Sequence, residues 1–202
     1  MPLDFISLSA PELCALSRER TVFFFSVGPL EDHGPCLPLG LDLLEAEELC
    51  RRAARRLENE VPGWRGVLMP PAPLGIDSAT AQIALTIRAH VLRDWLVDLC
   101  RGLGRIGFRH FACFSGQLGP RQLTAIEEAG KLVSGQGPLG IILGSMRHLL
   151  SGRPSMQLLS VSSALVERSE MLRSVVLFPW PKEHGGARDT SVALALGKAR
   201  VG

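Results

Sequence analysis

The sequence predicts an α/β fold: a single domain over residues 1–202, with a central, mostly parallel β-sheet flanked by helices on both faces. Three observations carry this. Short, continuously apolar runs such as "TVFFFSV" recur, as expected of strands buried on both faces. Segments of helical periodicity lie between them. Polar, turn-rich stretches follow several of the strands, and the carboxyl ends of parallel strands are where such sheets bind ligands.

The elements follow in order. "SAPELCALSRE" reads as a short helix with Ser9 as N-cap, Pro11 in the first turn and Glu12 closing a capping box. Thr21–Val27 is the first buried strand. Residues 43–60 form an amphipathic helix, with Leu44, Leu49, Ala53 and Leu57 in register. A second strand at 66–75 is ended by prolines, and a helix at 86–107 is stopped by Gly102, Gly104 and Gly107. "RHFACFS" is the third strand, residues 120–137 a helix with Pro120 near its start, and "PLGIILG" at 138–144 the fourth strand. One or two helices are expected within 145–173, a fifth strand at "SVVLFPW", and a closing helix at 189–202.

Composition narrows the function. Apolar residues make up 46% and charged residues 21%, an ordinary globular balance. A net charge of +2 lacks the basic excess of a nucleic-acid binder, so no nucleic-acid partner is expected. No stretch is long and apolar enough for a transmembrane helix, and no secretory signal is visible, so no membrane partner is expected. Five scattered cysteines without a C-x-x-C pair read as reduced thiols of a cytoplasmic protein.

The stretch "GPLEDHGPCLPLGLD", Gly28–Asp42, holds three acids, a histidine, a cysteine, three prolines and three glycines. If the chain is extended at its start, Glu31 and His33 share a face. Together with Asp42 they offer one nitrogen and two carboxylates, a donor set that suits Zn²⁺ or Mn²⁺. The other reading is a solvated, charged connection in which Asp42 is the N-cap of the following helix.

The order of motifs resembles that of the creatininase (creatinine amidohydrolase) family. "SVGPLEDHGPCLPLGLD" is similar to its first motif and "PLGIDSATAQIALTI" to its second. "GFRHFACFSGQLGP" stands where N-G-H-G-G-N is expected, and "EHGGARDTSVALAL" where H-A-G-E-x-E-T-S is expected. The resemblance covers about residues 10 to 198. It implies a creatininase-like α/β fold that hydrolyses a C–N bond in a small cyclic or linear amide with a pair of divalent metal ions.

By the same resemblance Glu31, His33 and Asp42 match three metal ligands, with Asp42 the bridging one. Gln117 stands at the position of a ligand histidine, and Asp189 is a further carboxylate. His184 matches the last motif's histidine and is the candidate proton donor to the leaving nitrogen. Ala79 and Thr80 replace the second motif's Glu-His pair, and Ala187 replaces an acid. The expected cofactor is a divalent metal, Zn or Mn, as two ions, one or none. The expected partners are a small-molecule amide substrate and copies of the chain itself, from dimer to hexamer. Two functions follow: a divergent metal-dependent amidohydrolase, or a degenerate member that binds a small molecule or protein without turnover.

Other reactive residues have plainer readings. His90 reads as a surface or half-buried helix residue, His110 starts a strand, and His148 falls in the poorly patterned stretch. Cys36, where the family often has histidine, reads as a small packed residue or a reactive thiol. Cys14, Cys50, Cys100 and Cys113 read as core.

Overall fold

The computed structural model describes residues 1–77, 83–134, 157–161 and 193–197. Its centre is a five-stranded, all-parallel sheet in the order β1-β4-β2-β6-β7. The strands are β1 (Leu3–Asp4), β2 (Thr21–Val27), β4 (Arg65–Leu68), β6 (His110–Ser115) and β7 (Gln157–Val161). A separate antiparallel pair joins β3 (Leu30–Glu31) to β5 (Ala84–Leu85). The helices are α1 (Ala10–Ala15), α2 (Leu41–Glu60), α3 (Ala89–Arg105) and α4 (Pro120–Ser134).

Side-chain alternation along β2 and β6 builds two layers of core. Phe23, Phe25, Val27, Phe111 and Cys113 face one way and pack with Leu92, Leu96 and Val97 of α3 and Ala125, Ile126 and Ala129 of α4. Phe24, Ala112 and Phe114 face the other way and pack with Cys50 and Ala54 of α2. Phe23 and Phe25 are fully buried. Burying a phenylalanine stabilises a fold by about 1.5–3 kcal/mol, so this double-sided row anchors the sheet. The predicted α/β class, with helices on both faces, is what the structure has.

Several expectations shift. The predicted first strand matches β2 residue for residue, and α1 has the expected pairing, with the Ser9 amide and hydroxyl both donating to Glu12 Oε2 at 2.8 and 2.6 Å. Within 145–173, where helix was expected, residues Gln157–Val161 are a strand that extends the sheet from β6. A mixed, serine-rich run such as "QLLSV" has no period of its own, and pairing decides its state. Cys14 is exposed rather than core, while Cys50, Cys100 and Cys113 are buried. The predicted strands at 138–144 and 174–180 lie outside the described residues, as does most of the closing helix, of which 193–195 are helical.

The topology fixes where a site can form. From β2 the chain passes through α2 to β4 on one side, and α3 then carries it back across to β6 on the other side of β2. The connections leaving β2 and β6 therefore lead to opposite edges, and in sheets of this order the carboxyl ends of such central strands are where a ligand crevice is expected.

Candidate metal centre

The loop leaving β2 lines that crevice. Its first residues pair with β5, with Leu30 opposite Leu85 and Glu31 opposite Ala84, and the Asp32 amide donates to the Ile83 carbonyl at 2.8 Å. This short extended run sets Glu31 and His33 on one face, as a period of two requires. The loop then turns at Gly34, whose φ of 92° is costly for other residues. It re-enters regular structure at α2.

Gly40, not Asp42, is the N-cap of that helix. Asp42 lies inside the first turn, which corrects the capping reading and turns its carboxylate inward. There it is 7% exposed.

Glu31, His33 and Asp42 are all buried, and each offers a ligand atom within 4.8 Å of the others. The histidine is aimed. Its Nδ1 lies 3.0 Å from the Glu31 carbonyl oxygen, which can only accept, so Nδ1 carries a hydrogen and donates. Its Nε2 then faces Asp42 Oδ1 at 3.2 Å. Burial works against charge on this imidazole, but the hydrogen bond and charge of Asp42, with help from Glu31, outweigh it and raise its pKa above the ordinary value. A backbone carbonyl that fixes the far nitrogen of a histidine is the usual arrangement around a bound metal. The cluster holds two carboxylates against one imidazole, and Glu45, one turn along α2, is buried as well. This donor set fits a divalent cation.

The loop leaving β6 closes the crevice from the other side. A Cβ at Gly116 would overlap the backbone of Asp42, so only glycine lets the two loops meet. Gln117 follows, and its Nε2 donates to Glu31 Oε1 at 3.1 Å and to the Asp77 carbonyl at 2.8 Å. Its Oε1 accepts from the Gly119 amide at 3.2 Å. Exchanging the amide's oxygen and nitrogen would set oxygen against two acceptors and NH₂ against an N–H donor, so the partners fix the orientation. Gln117 therefore lies beside the cluster and turns nitrogen toward Glu31, not the carbonyl oxygen of a ligand.

Two residues that the sequence reading passed over support this loop. Gln122 on α4 is fully buried. Its Oε1 accepts from the Ile76 amide at 3.0 Å, and its Nε2 donates to the Leu74 carbonyl at 3.1 Å and to Ser115 Oγ at 3.3 Å. Ser115 Oγ in turn donates to the Gln117 carbonyl at 2.7 Å. Asp77 Oδ2 accepts from the Arg121 and Gln122 amides at 2.7 and 3.1 Å, capping α4 from a distant part of the chain. Periodicity cannot flag a buried glutamine within a helix, and Asp77 precedes α4 by more than forty residues.

His184 and Asp189 lie outside the described residues, as do Ala79, Thr80, Ala187 and His148. His90 is exposed on α3, and His110 begins β6 with its ring 5.1 Å from that of Trp64. Cys36 is exposed, not packed. Among the described residues no helix is long and apolar enough to cross a membrane.

Comparison with known proteins agrees with the geometry. The creatininase family, described as creatinine amidohydrolase, matches residues 7–202. No curated protein is matched by sequence. Among solved structures, one called "Creatininase Mn" superposes with a TM-score of 0.68 at 22% identity, covering 97% of this chain and 73% of that one. A structure of creatinine amidohydrolase (creatininase) gives 0.66 at 22% identity, covering 96% and 72%. A mutant creatininase of "Zn-Zn type" gives 0.65 at 22% identity, covering 97% and 73%.

Proposed function

Because the chain belongs to the creatininase family, we propose that it is a metal-dependent amidohydrolase that hydrolyses a C–N bond in a small cyclic or linear amide. The observation that carries this reading is the convergence of Glu31, His33 and Asp42 in one buried cluster. Side chains this polar are buried together at a high desolvation cost, and a cation offsets it. These three would hold a Zn²⁺ or Mn²⁺ ion, the metals named for the similar "Creatininase Mn" and the "Zn-Zn type" mutant creatininase.

Such an ion supplies a Lewis acid for an amide carbonyl and a nucleophile from water at neutral pH. The protein's part is to hold His33 by its Nδ1 and to aim Nε2 and both carboxylates inward. From the motif order alone, His184 is assigned the proton transfer to the leaving nitrogen and Asp189 the part of a further carboxylate ligand. A cytoplasmic homo-oligomer, dimer to hexamer, completes the reading.

The second function, binding without turnover, is favoured by one observation: the oxygen of Gln117, at a family ligand position, is turned away to Gly119. Metal analysis of the purified protein followed by a panel of cyclic and linear amides separates the two. The enzyme reading expects stoichiometric metal and turnover that a chelator abolishes. Bound metal with no turnover across the panel supports the binding reading, and no bound metal removes the enzyme reading.

A further inference from the structure

We propose that Gln117 is a positioning residue that holds Glu31 by hydrogen bonding, and that the centre in this chain takes a single divalent ion on the His33–Asp42 side. This inference rests on the metal reading above and specifies it. Gln117 Nε2 lies 3.1 Å from Glu31 Oε1, so the amide hydrogen occupies the side of the carboxylate that faces the β6 loop. An ion cannot share that approach, because an N–H donor directs positive charge along it. Nor can the amide simply turn to offer its oxygen. Nε2 is also tied to the Asp77 carbonyl at 2.8 Å, and Oε1 to the Gly119 amide at 3.2 Å.

The backbone beneath Gln117 is fixed as well. Its carbonyl accepts from Ser115, which accepts from the buried Gln122. A Cβ at Gly119 would collide with the Asp77 side chain, and one at Gly116 with Asp42, so the loop has little room to reseat. His33 Nε2 and Asp42 Oδ1 face each other at 3.2 Å, and together with Glu31 their ligand atoms converge within 4.8 Å. The chain has thus exchanged a ligand position for an outer hydrogen bond that orients a remaining ligand, a role such partners commonly play around metals.

The test uses the full-length protein, stripped with chelator and reloaded with Zn²⁺ or Co²⁺. Ions per chain are counted by elemental analysis, and affinity is measured by competition with a chromophoric chelator. The expected wild-type count is one. Gln117→Leu removes the donor at similar size and should weaken binding roughly 10- to 100-fold, the usual effect of losing an outer partner. Gln117→Glu supplies an oxygen and no donor, and should also weaken binding. The visible spectrum of the Co²⁺-loaded Gln117→Leu protein should change while the metal-free protein melts within a few degrees of wild type, a pattern that a purely structural role would not give.

Two tightly bound ions per wild-type chain would overturn the inference and leave the metal reading standing. So would tighter binding by Gln117→Glu, the mark of an oxygen ligand, or affinities and spectra unchanged in both variants. A wild-type chain that takes up no ion defeats the metal reading, and this inference with it.

Discussion

The two loops that meet over the sheet have diverged in opposite ways. The loop after β2 keeps an acid, a histidine and an acid at family spacing and buries all three. The loop after β6 carries Gln117, and it ties its polar atoms to Glu31, Asp77, Gly119 and Ser115. Both leave neighbouring strands, and both are locked by close backbone contact at Gly116. The difference shows that the scaffold does not force ligand chemistry. The first loop gathers two carboxylates and an imidazole whose ligand atoms converge on one point, a set that suits a cation. The second ties its amide to backbone groups and to Glu31, and offers no such convergence.

The sharpest way to break this contrast is to remove the charge from the first loop. Asp42→Asn keeps the shape of the side chain but loses the carboxylate that faces His33 Nε2. Ion affinity should fall by more than about 100-fold, beyond the effect of losing an outer partner. Chelator competition reads this directly. If the variant binds as the wild type does, the first loop is a scaffold and the contrast disappears.

The second loop should instead fail through stability. Gln122→Leu leaves the Ile76 amide and the Leu74 carbonyl without their buried partner and removes a donor to Ser115. A loss of about 2–4 kcal/mol is expected, since each stranded buried group costs about 1–3 kcal/mol. Urea denaturation of the metal-free protein measures it. A loss under about 0.5 kcal/mol would mean that this network does not lock the loop.

A third experiment tries to make the loops alike. Gln117→His restores a nitrogen ligand, and Leu118→Gly gives the turn the freedom to aim it. The double variant should take up a second Zn²⁺ per chain, with Asp42→Asn in the same background abolishing the gain. An unchanged count in a folded double variant would show that the loop backbone, held through Ser115 and Gln122, keeps position 117 aimed at Glu31.

How much of this was legible in the sequence differs between the loops too. The apolar run of β2 and the family spacing of Glu31, His33 and Asp42 are local signals, and they located both strand and cluster. The start of α2 was misjudged by two residues, which is why Asp42 could pass for a cap. The second loop's logic is long-range. Asp77 caps a helix 44 residues on, and Gln122 reaches back 46 residues to Ile76. No periodicity records such partnerships. The pairs β3 and β5 were equally invisible, since two-residue strands have no pattern to read.

Cys36 provides the smallest expected effect. It belongs to the first loop, yet it is exposed and lies outside the cluster of Glu31, His33 and Asp42. A thiolate would be a strong Zn²⁺ ligand if it reached the ion, so this position is a fair check on where the first loop's function resides. Cys36→Ser removes the soft donor with little change of volume. Ion affinity should stay within about two-fold, and stability within about 0.5 kcal/mol, as for surface changes in general. A thiol reagent should modify Cys36 and Cys14 quickly in the folded protein. Cys50, Cys100 and Cys113 should react only on unfolding, because they are buried and burial raises the Cys100 pKa to about 12. Ion affinity should survive that quick modification of Cys36. A drop of ten-fold or more in Cys36→Ser would place a fourth donor in the first loop. The contrast between the loops would then widen, with the whole centre built from the segment that runs from the end of β2 into the first turn of α2.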